Sequence, residues 1–152
     1  TGTGGMVGVG QSASHDVREA AEEATRMALE AIGTRTPSAT LVFATTGYDQ
    51  DELISEIHRL TGGIPLSGCS GAGVITKTGS DEGSHALGVM VLAIDGMSAA
   101  TLLAEGSDDA QRCGDRLAEQ AARAGVHAPR ALLLFADGLS TNCTALLARR
   151  RR

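Results

Sequence analysis

Residues 39–73, ATLVFATTGYDQDELISEIHRLTGGIPLSGCSGAG, contain the pattern that decides the predicted fold. The stretch opens with a near-continuous apolar run at 39–44, which is typical of a strand covered on both faces. A helix follows at 49–60, ended by glycines at 62–63, and a second strand is predicted at 64–67. The side chains expected to face inward from this helix are Leu53, Ile54, Ile57 and Leu60. A strand, a helix and a second strand in this order predict an α/β fold.

Working outward from this unit, the preceding residues predict another strand and helix. A flexible leader at 1–5 is followed by a predicted strand at 6–10. Ser14 or Asp16 then caps a helix that continues to Ile32, where Gly33 closes it. Its apolar residues recur at helical spacing, so we expect this helix to pack against a sheet.

The residues after the central unit predict a mixed sheet. A loop is expected at 76–84, and the strongest strand signal lies at 86–94. Asp95-Gly96 is a typical hairpin pair, so a return strand at 98–104 should run antiparallel to it. A helix at 108–124 and a buried strand at 130–136 follow. The predicted architecture is a layered sandwich in which helices flank a mixed β-sheet.

An internal repeat is visible when the chain is shifted by 92 positions. Residues Asp16, Gly33, Pro37, Ala39, Leu41, Phe43 and Ala44 then fall on Asp108, Gly125, Pro129, Ala131, Leu133, Phe135 and Ala136. A helix start, a helix stop, a proline and a strand share one register, which favours a duplication over chance. The counterpart of strand 64–67 would begin beyond Arg152, so we expect residues 6–152 to be a single α/β domain truncated at its C-terminal end.

The composition argues against several classes of protein. A net charge of −5 and an aromatic share of 2% disfavour binding to nucleic acid. The three cysteines, Cys69, Cys113 and Cys143, have no zinc-site spacing and form no even set for disulfides. No apolar run reaches the ~20 residues of a membrane span. These features predict a cytoplasmic protein with reduced thiols and no bound metal.

Candidate ligand-binding residues cluster where predicted strands end. The segment Gly68, Cys69, Ser70, Gly71, Ala72 and Gly73 follows a buried strand, and its glycines let the backbone approach a ligand and expose N–H groups. The other candidates, at the ends of the two apolar strands, are Thr45, Thr46, Tyr48, Asp49, Asp137 and Ser140. Turn chemistry and helix capping would explain the same residue types, so both readings stay open.

Two further motifs have weaker chemical interpretations. Residues 8–13, GVGQSA, match a dinucleotide fingerprint, but the following helix begins too late to face a pyrophosphate. Cys69 would serve as a nucleophile only beside a base, and no histidine has the spacing that would identify one.

The sequence resembles the N-terminal part of the FIST sensory domain family. The resemblance is carried by VGVGQS at 7–12, REAA at 18–21, LVFA at 41–44, GCSGAG at 68–73 and LLLFADG at 132–138. It extends over nearly the whole chain, and GCSGAG is its most specific part.

This resemblance implies an intracellular, bacterial sensory domain that binds a small ligand, such as an amino acid or small carboxylate. It further implies an output domain such as a histidine kinase, a chemoreceptor or a cyclic-di-GMP enzyme. Some relatives use haem to sense nitric oxide, but the few aromatics and the lack of an evident axial histidine disfavour haem here. Two alternatives remain: an enzyme with Cys69 as nucleophile, and an interaction module that forms a homodimer through an exposed strand.

Overall fold

The computed structural model describes residues 4–105, 109–137 and 141–147. The chain divides into two compact units, Thr1–Ala99 and Ala100–Arg152. The predicted α/β class is confirmed, because the first unit holds a four-stranded mixed sheet together with two helices. The predicted duplication at an offset of 92 residues stays a prediction.

The sheet of the first unit has the strand order β1-β6-β2-β3. The strands of this unit are β1 Gly5–Ser12, β2 Ala39–Ala44, β3 Leu66–Ser70, β4 Val74–Thr76, β5 Gly79–Asp81 and β6 Leu87–Ile94. Strand β6 is antiparallel to both β1 and β2, whereas β3 is parallel to β2. Strands β4 and β5 form a separate hairpin. Thus β1, β2 and β3 all point in the same direction.

Helix α1, Val17–Ile32, lies close to the sheet because both contact surfaces are built from small residues. Asp16 caps it by accepting hydrogen bonds from the N–H groups of residues 18 and 19, and Gly33 ends it with a φ of 63°. A Cβ atom on Gly8 or Gly10 of β1 would lie 1.9 Å from a carbonyl oxygen of α1. Only glycine permits this approach, so the spaced glycines of residues 8–13 have a packing role.

Helix α2, Gln50–Leu60, follows β2 and begins at the capping residue Asp49. Leu53 and Ile57 are fully buried and join the core beside α1 and β6. The prediction that Ile54 faces inward is wrong, since 44% of this residue is exposed. Helices α1 and α2 also contact each other.

Three predicted segments between residues 64 and 104 differ from the structure. Strand β3 extends to Ser70, so half of the predicted glycine loop is strand. The predicted loop at 76–84 contains part of the β4–β5 hairpin. Residues 98–104 form no strand, and β6 pairs with β1 and β2 instead. The sheet is therefore mixed because β6 is inserted between β1 and β2.

The second unit contains α3, Ala110–Arg123, and α4, Cys143–Leu147. Asp109 caps α3, whereas the predicted start at Asp108 lies outside the described residues. The predicted buried strand at 130–136 is wrong: these residues form no strand, and the exposed fractions of Leu132 and Leu133 are 66% and 62%. Among the described residues no helix is long and apolar enough to cross a membrane.

Candidate functional site

The carboxyl ends of β1, β2 and β3 lie at the same end of the sheet, because these three strands point in the same direction. This end of the sheet is called the carboxyl-end edge, to distinguish it from the open sides of the outer strands. The segments that follow them, at 13–16, 45–49 and 71–73, therefore gather at this edge, together with residues 84–86 that lead into β6. Open α/β sheets bind their ligands outside the carboxyl ends of the strands.

A cavity of about 180 Å³ opens at this edge. Its walls are formed by Gln11, Ser12, Ala13, Glu23, Val74, Asp81, Ala86 and Leu87. This volume suits a ligand with only a few heavy atoms.

Acidic and neutral polar groups line the cavity. The Ser12 hydroxyl donates a hydrogen bond to Glu23 Oε2 at 2.6 Å, and the Gly83 N–H donates to Asp81 Oδ1 at 2.7 Å. Neither lysine nor arginine is among the lining residues. The two carboxylates therefore favour a ligand group that carries positive charge or donates hydrogen bonds.

Tyr48 is buried where it is affected by the negative charges of the same two carboxylates, Asp81 and Glu23. It is 5% exposed, and its hydroxyl donates a hydrogen bond to the Ser14 carbonyl at 2.9 Å. Burial raises the pKa of Tyr48 to about 12, and the negative charges of Asp81 and Glu23 add to the increase. Tyr48 therefore stays neutral at physiological pH, and its hydrogen bond fixes the segment after β1.

Thr45 holds the segment at 84–86 against the end of β2. Its hydroxyl donates to the Ser84 carbonyl at 2.7 Å and accepts from the Ala86 N–H at 2.9 Å. The Gly47 N–H donates to the same Ser84 carbonyl at 2.9 Å. Since Ala86 lines the cavity, these hydrogen bonds position one of its walls.

Two imidazole rings lie on the segments that flank the cavity. His15 stacks on His85 with 4.2 Å between ring centroids, and His85 meets the edge of Tyr48 at 5.1 Å. These rings join the segments that follow β1 and β2 to the segment that precedes β6.

The β4–β5 hairpin forms another wall. Val74 is buried against β6, where a Cβ atom on Gly88 would lie 2.8 Å from its side chain. The Thr76 hydroxyl donates a hydrogen bond to the side-chain oxygen of Gln11, another cavity residue. Ile75, between these two anchors, is 86% exposed. The hairpin is thus attached to the sheet through few side chains.

The predicted glycine segment leads directly into this hairpin. Gly68, Cys69 and Ser70 belong to β3 and pair with β2. The Gly71 N–H donates to the Ala44 carbonyl at 3.0 Å, which extends the ladder by one bond. Ala72 and Gly73, both exposed, then connect β3 to the cavity wall.

The other predicted residues occupy several positions. Thr46 and Asp49 are exposed, and the carboxylate of Asp49 accepts a hydrogen bond from the N–H of Glu52 in α2. Asp137 belongs to the second unit, and Ser140 lies outside the described residues. A site that joins all three predicted strand ends therefore stays a prediction.

The nucleophile interpretation gains no support from the surroundings of Cys69. The residue is exposed on β3 at the margin of the sheet. Among the described residues no histidine or carboxylate is hydrogen-bonded to its thiol. A thiol needs such a base or a positive neighbour to become a good nucleophile.

Sequence reasoning missed four polar residues of the cavity: Gln11, Ser12, Glu23 and Asp81. The GVGQSA stretch at 8–13 was a usable signal, since it places the polar residues Gln11 and Ser12 at the end of a strand. Glu23 gave no signal, because it resembles the other acids on the outer side of α1.

The cavity does not fit haem. Its volume of about 180 Å³ is below the ~300–1,000 Å³ of pockets that enclose drug-sized ligands. A larger cavity, of about 470 Å³ at the opposite edge of the sheet, has no histidine in its lining. Within the described part of the chain, no three His, Cys, Asp or Glu residues are placed to hold a metal ion.

Comparisons with known proteins give one family match. A family model described as the FIST N domain matches residues 38–151, which include the hairpin and β6 walls of the cavity. No curated protein matches the chain. Among solved structures, GDP-form protofilaments of TubZ from Bacillus thuringiensis serovar israelensis are similar, with 11% identity and a TM-score of 0.39. That match covers 62% of this chain and 27% of the TubZ chain.

Proposed function

Because the chain belongs to the FIST N domain family, a family of sensory domains in signal transduction, we propose that it binds a small ligand in the cavity at the carboxyl-end edge. The observation that carries this proposal is the cavity itself, with Glu23 and Asp81 facing it from α1 and β5. The site sits where open α/β sheets bind their ligands.

The charge of the cavity favours a ligand with an ammonium group. Glu23 and Asp81 supply carboxylates, and the amide of Gln11 supplies a neutral polar group. A free carboxylate ligand would meet these charges with repulsion, whereas an amino acid can direct its ammonium group inward. An amino acid or a small amine therefore suits the cavity better than a simple carboxylate.

The hairpin supplies a route from binding to signalling. A ligand held between Glu23 and Asp81 would contact α1 and the β4–β5 hairpin at once. If it binds more tightly to one arrangement of the hairpin, it shifts the population toward that arrangement. The exposed Ile75 would then present a different surface to an output domain.

The remaining parts of the proposal extend the sensory role of the family to this chain. The output domain would be a histidine kinase, a chemoreceptor or a cyclic-di-GMP enzyme of a bacterial, cytoplasmic signalling protein. The predicted residues Thr45, Tyr48 and Gly68–Gly73 would act mainly by positioning the cavity walls. Direct ligand contact by Thr46 or Ser70 would be tested by a structure with a bound ligand.

The test is a thermal-shift and calorimetric screen with the standard amino acids. Alanine, ethylamine and propionate form a matched set, because each of the last two lacks one charged group of the first. We expect alanine-type ligands and the amine to raise the melting temperature, since binding to the folded state stabilises it. Propionate should have little effect.

Variants assign the binding to the cavity. Glu23→Gln and Asp81→Asn each remove one negative charge and should weaken binding by about tenfold, equal to about 1.4 kcal/mol. Glu22→Gln is the matched control, because Glu22 lies on the same helix but does not line the cavity. The proposal fails if no compound shifts the melting temperature. If propionate binds and the amine does not, the charge preference is wrong.

A further inference from the structure

In the described part of the chain, the outer side of β1 is an unpaired sheet edge. Strand β1 pairs with β6 along its whole length, Gly5–Ser12, and has no second neighbour in the described sheet. Its sequence, GMVGVGQS, contains no charged residue and no proline. Proteins usually protect such an edge with charges, prolines or bulges, because its free N–H and C=O groups can pair with another strand.

The hydrogen-bond pattern identifies the free backbone groups. The Asp95 N–H donates to the Gly4 carbonyl at 3.1 Å, so these two residues form a hydrogen-bonded pair just before β1. Bonded and non-bonded pairs alternate along an antiparallel ladder. The even-numbered residues of β1 therefore bond to β6. The residues that direct their N–H and C=O groups outward are Gly5, Val7, Val9 and Gln11.

The side chains beside this edge are apolar. The exposed fractions of Met6 and Val7 are 43% and 48%. On the helix side, a Cβ atom on Gly10 would lie 2.8 Å from the Cβ of Met27, so α1 runs directly over the strand. Ala31 lies one helical turn further along the same face of α1.

We propose that β1 pairs with β1 of a second copy of this chain, antiparallel and around a two-fold axis, to form a homodimer. Gly8 would face Gly8 of the partner subunit, Val7 would face Val9 of the partner subunit, and Gly5 would face Gln11 of the partner subunit. In this register every outward residue meets another outward residue, as hydrogen bonding between antiparallel strands requires.

A second copy suits this edge because the strand is complementary to itself. An uncharged strand pairs with its own copy without like-charge repulsion. The β-branched valines face each other across the axis, which is a favourable cross-strand pair. A two-fold contact of this kind also closes, so assembly stops at the dimer.

The dimer goes beyond the proposed sensory function and does not depend on it. The dimer and the cavity share one residue, since Gln11 both lines the cavity and belongs to β1, the strand that would pair in the dimer. The two four-stranded sheets would join into one continuous sheet of eight strands.

The first test measures mass and amide exchange of the unaltered chain. Light scattering should give a mass that rises with concentration from 15.5 kDa to twice that value. In hydrogen exchange, the N–H groups of Val7 and Val9 should become about tenfold slower as the dimer forms. Those of Gly8 and Gly10 should be slow at every concentration, because they bond to β6.

The second test uses edge variants. Val7→Lys adds a charge to the edge, and Val9→Pro removes an outward N–H while leaving the β6 ladder complete. Each should weaken dimerisation by at least about tenfold. Ile54→Lys, a similar change at an exposed residue of α2, should leave dimerisation unchanged.

Several results would overturn the proposal. These are a monomer at all concentrations, an assembly larger than a dimer, or a dimer that both folded edge variants retain. If the variants do not fold, unchanged exchange of Val7 and Val9 in the unaltered dimer rules out this edge.

Discussion

Two segments of this chain have similar sequences, but only one of them forms a β-strand. Residues 39–44 read ATLVFA and residues 131–136 read ALLLFA. The first forms β2, a strand with β6 on one side and β3 on the other, and its Val42 is 6% exposed. The second forms no strand, and its Leu132 is 66% exposed.

The difference shows that an apolar sequence of strand length does not by itself determine whether a strand forms. Both segments have the apolar content that strands favour. Only the first unit supplies neighbouring strands whose N–H and C=O groups complete the ladder. In the described part of the second unit there is no strand to pair with. A single strand without partners buries too little surface to be stable.

The largest expected effect comes from placing a carboxylate at equivalent positions of the two segments. Val42→Asp buries a charge in the core, which costs several kcal/mol, about 3–5, against a typical total stability of about 5–15 kcal/mol. Leu134→Asp, at a residue 37% exposed, should change the free energy of unfolding by at most about 0.5 kcal/mol. Urea unfolding followed by circular dichroism measures both. Equal effects would contradict the contrast between the segments.

A smaller difference in the free energy of unfolding is expected when two glycines that lie against a neighbouring helix are each replaced by alanine. Gly10→Ala places a Cβ 1.9 Å from a carbonyl of α1 and should cost about 1–3 kcal/mol. Gly114→Ala places a Cβ 2.2 Å from the Leu146 carbonyl of α4, but alanine adds about 1 kcal/mol of helix propensity to α3.

We therefore expect Gly114→Ala to displace the short α4 with little change in global stability. Denaturant unfolding gives the stability, and proteolysis near Leu146 gives the displacement. A larger loss of stability for Gly114→Ala than for Gly10→Ala would show that the second unit is packed as tightly as the first.

The helix caps allow a closer comparison. Asp16 and Asp109 each accept hydrogen bonds from two N–H groups at the start of α1 and α3. Replacement by alanine should remove about 1 kcal/mol in each case. For Asp16→Ala the loss should appear in the unfolding of the whole first unit, because α1 is part of its core. For Asp109→Ala, hydrogen exchange should show fraying limited to the first turn of α3.

The smallest effect at neutral pH concerns Tyr48, the only tyrosine of the chain. Its pKa is raised to about 12, so the folded first unit keeps this proton while the unfolded chain, with a pKa near 10, releases it. Stability should be independent of this group below pH 10 and should fall between pH 10 and 12. The ultraviolet absorbance of tyrosinate measures the ionisation directly. A folded-state midpoint at pH 10 would contradict the buried position of Tyr48.

Local elements followed from the sequence because their signals are local. The bounds of β2 were predicted to the residue, α1 begins after Asp16, one of its two predicted caps, and α2 begins one residue after its predicted start at Asp49. Capping, glycine stops and apolar spacing act between residues that are near in the chain. The predicted return strand at 98–104 failed because a hairpin also needs its partner strand to have a free edge. Here β1 and β2 occupy both sides of β6.

The predicted ligand-binding residues do not line the cavity, so the predicted site stays a prediction. Strand ends were expected to gather ligand groups, but the cavity is lined from the end of β1, the start of β6, α1 and the hairpin. Its polar lining was not foreseen, because Glu23 and Asp81 are far apart in sequence and resemble ordinary surface acids. They face one cavity only because α1 crosses β1 on the glycines at 8 and 10 and the hairpin folds back on β6.

The sequence by itself determined the α/β class, the caps and stops of the helices, and the apolar runs able to form strands. The tertiary structure decided which of those runs became strands and which polar side chains share a cavity. The physical reason is that helix hydrogen bonds join residues four apart, whereas a strand bonds only to another strand. Whether that other strand is within reach is a property of the whole fold, as β2 and residues 131–136 show.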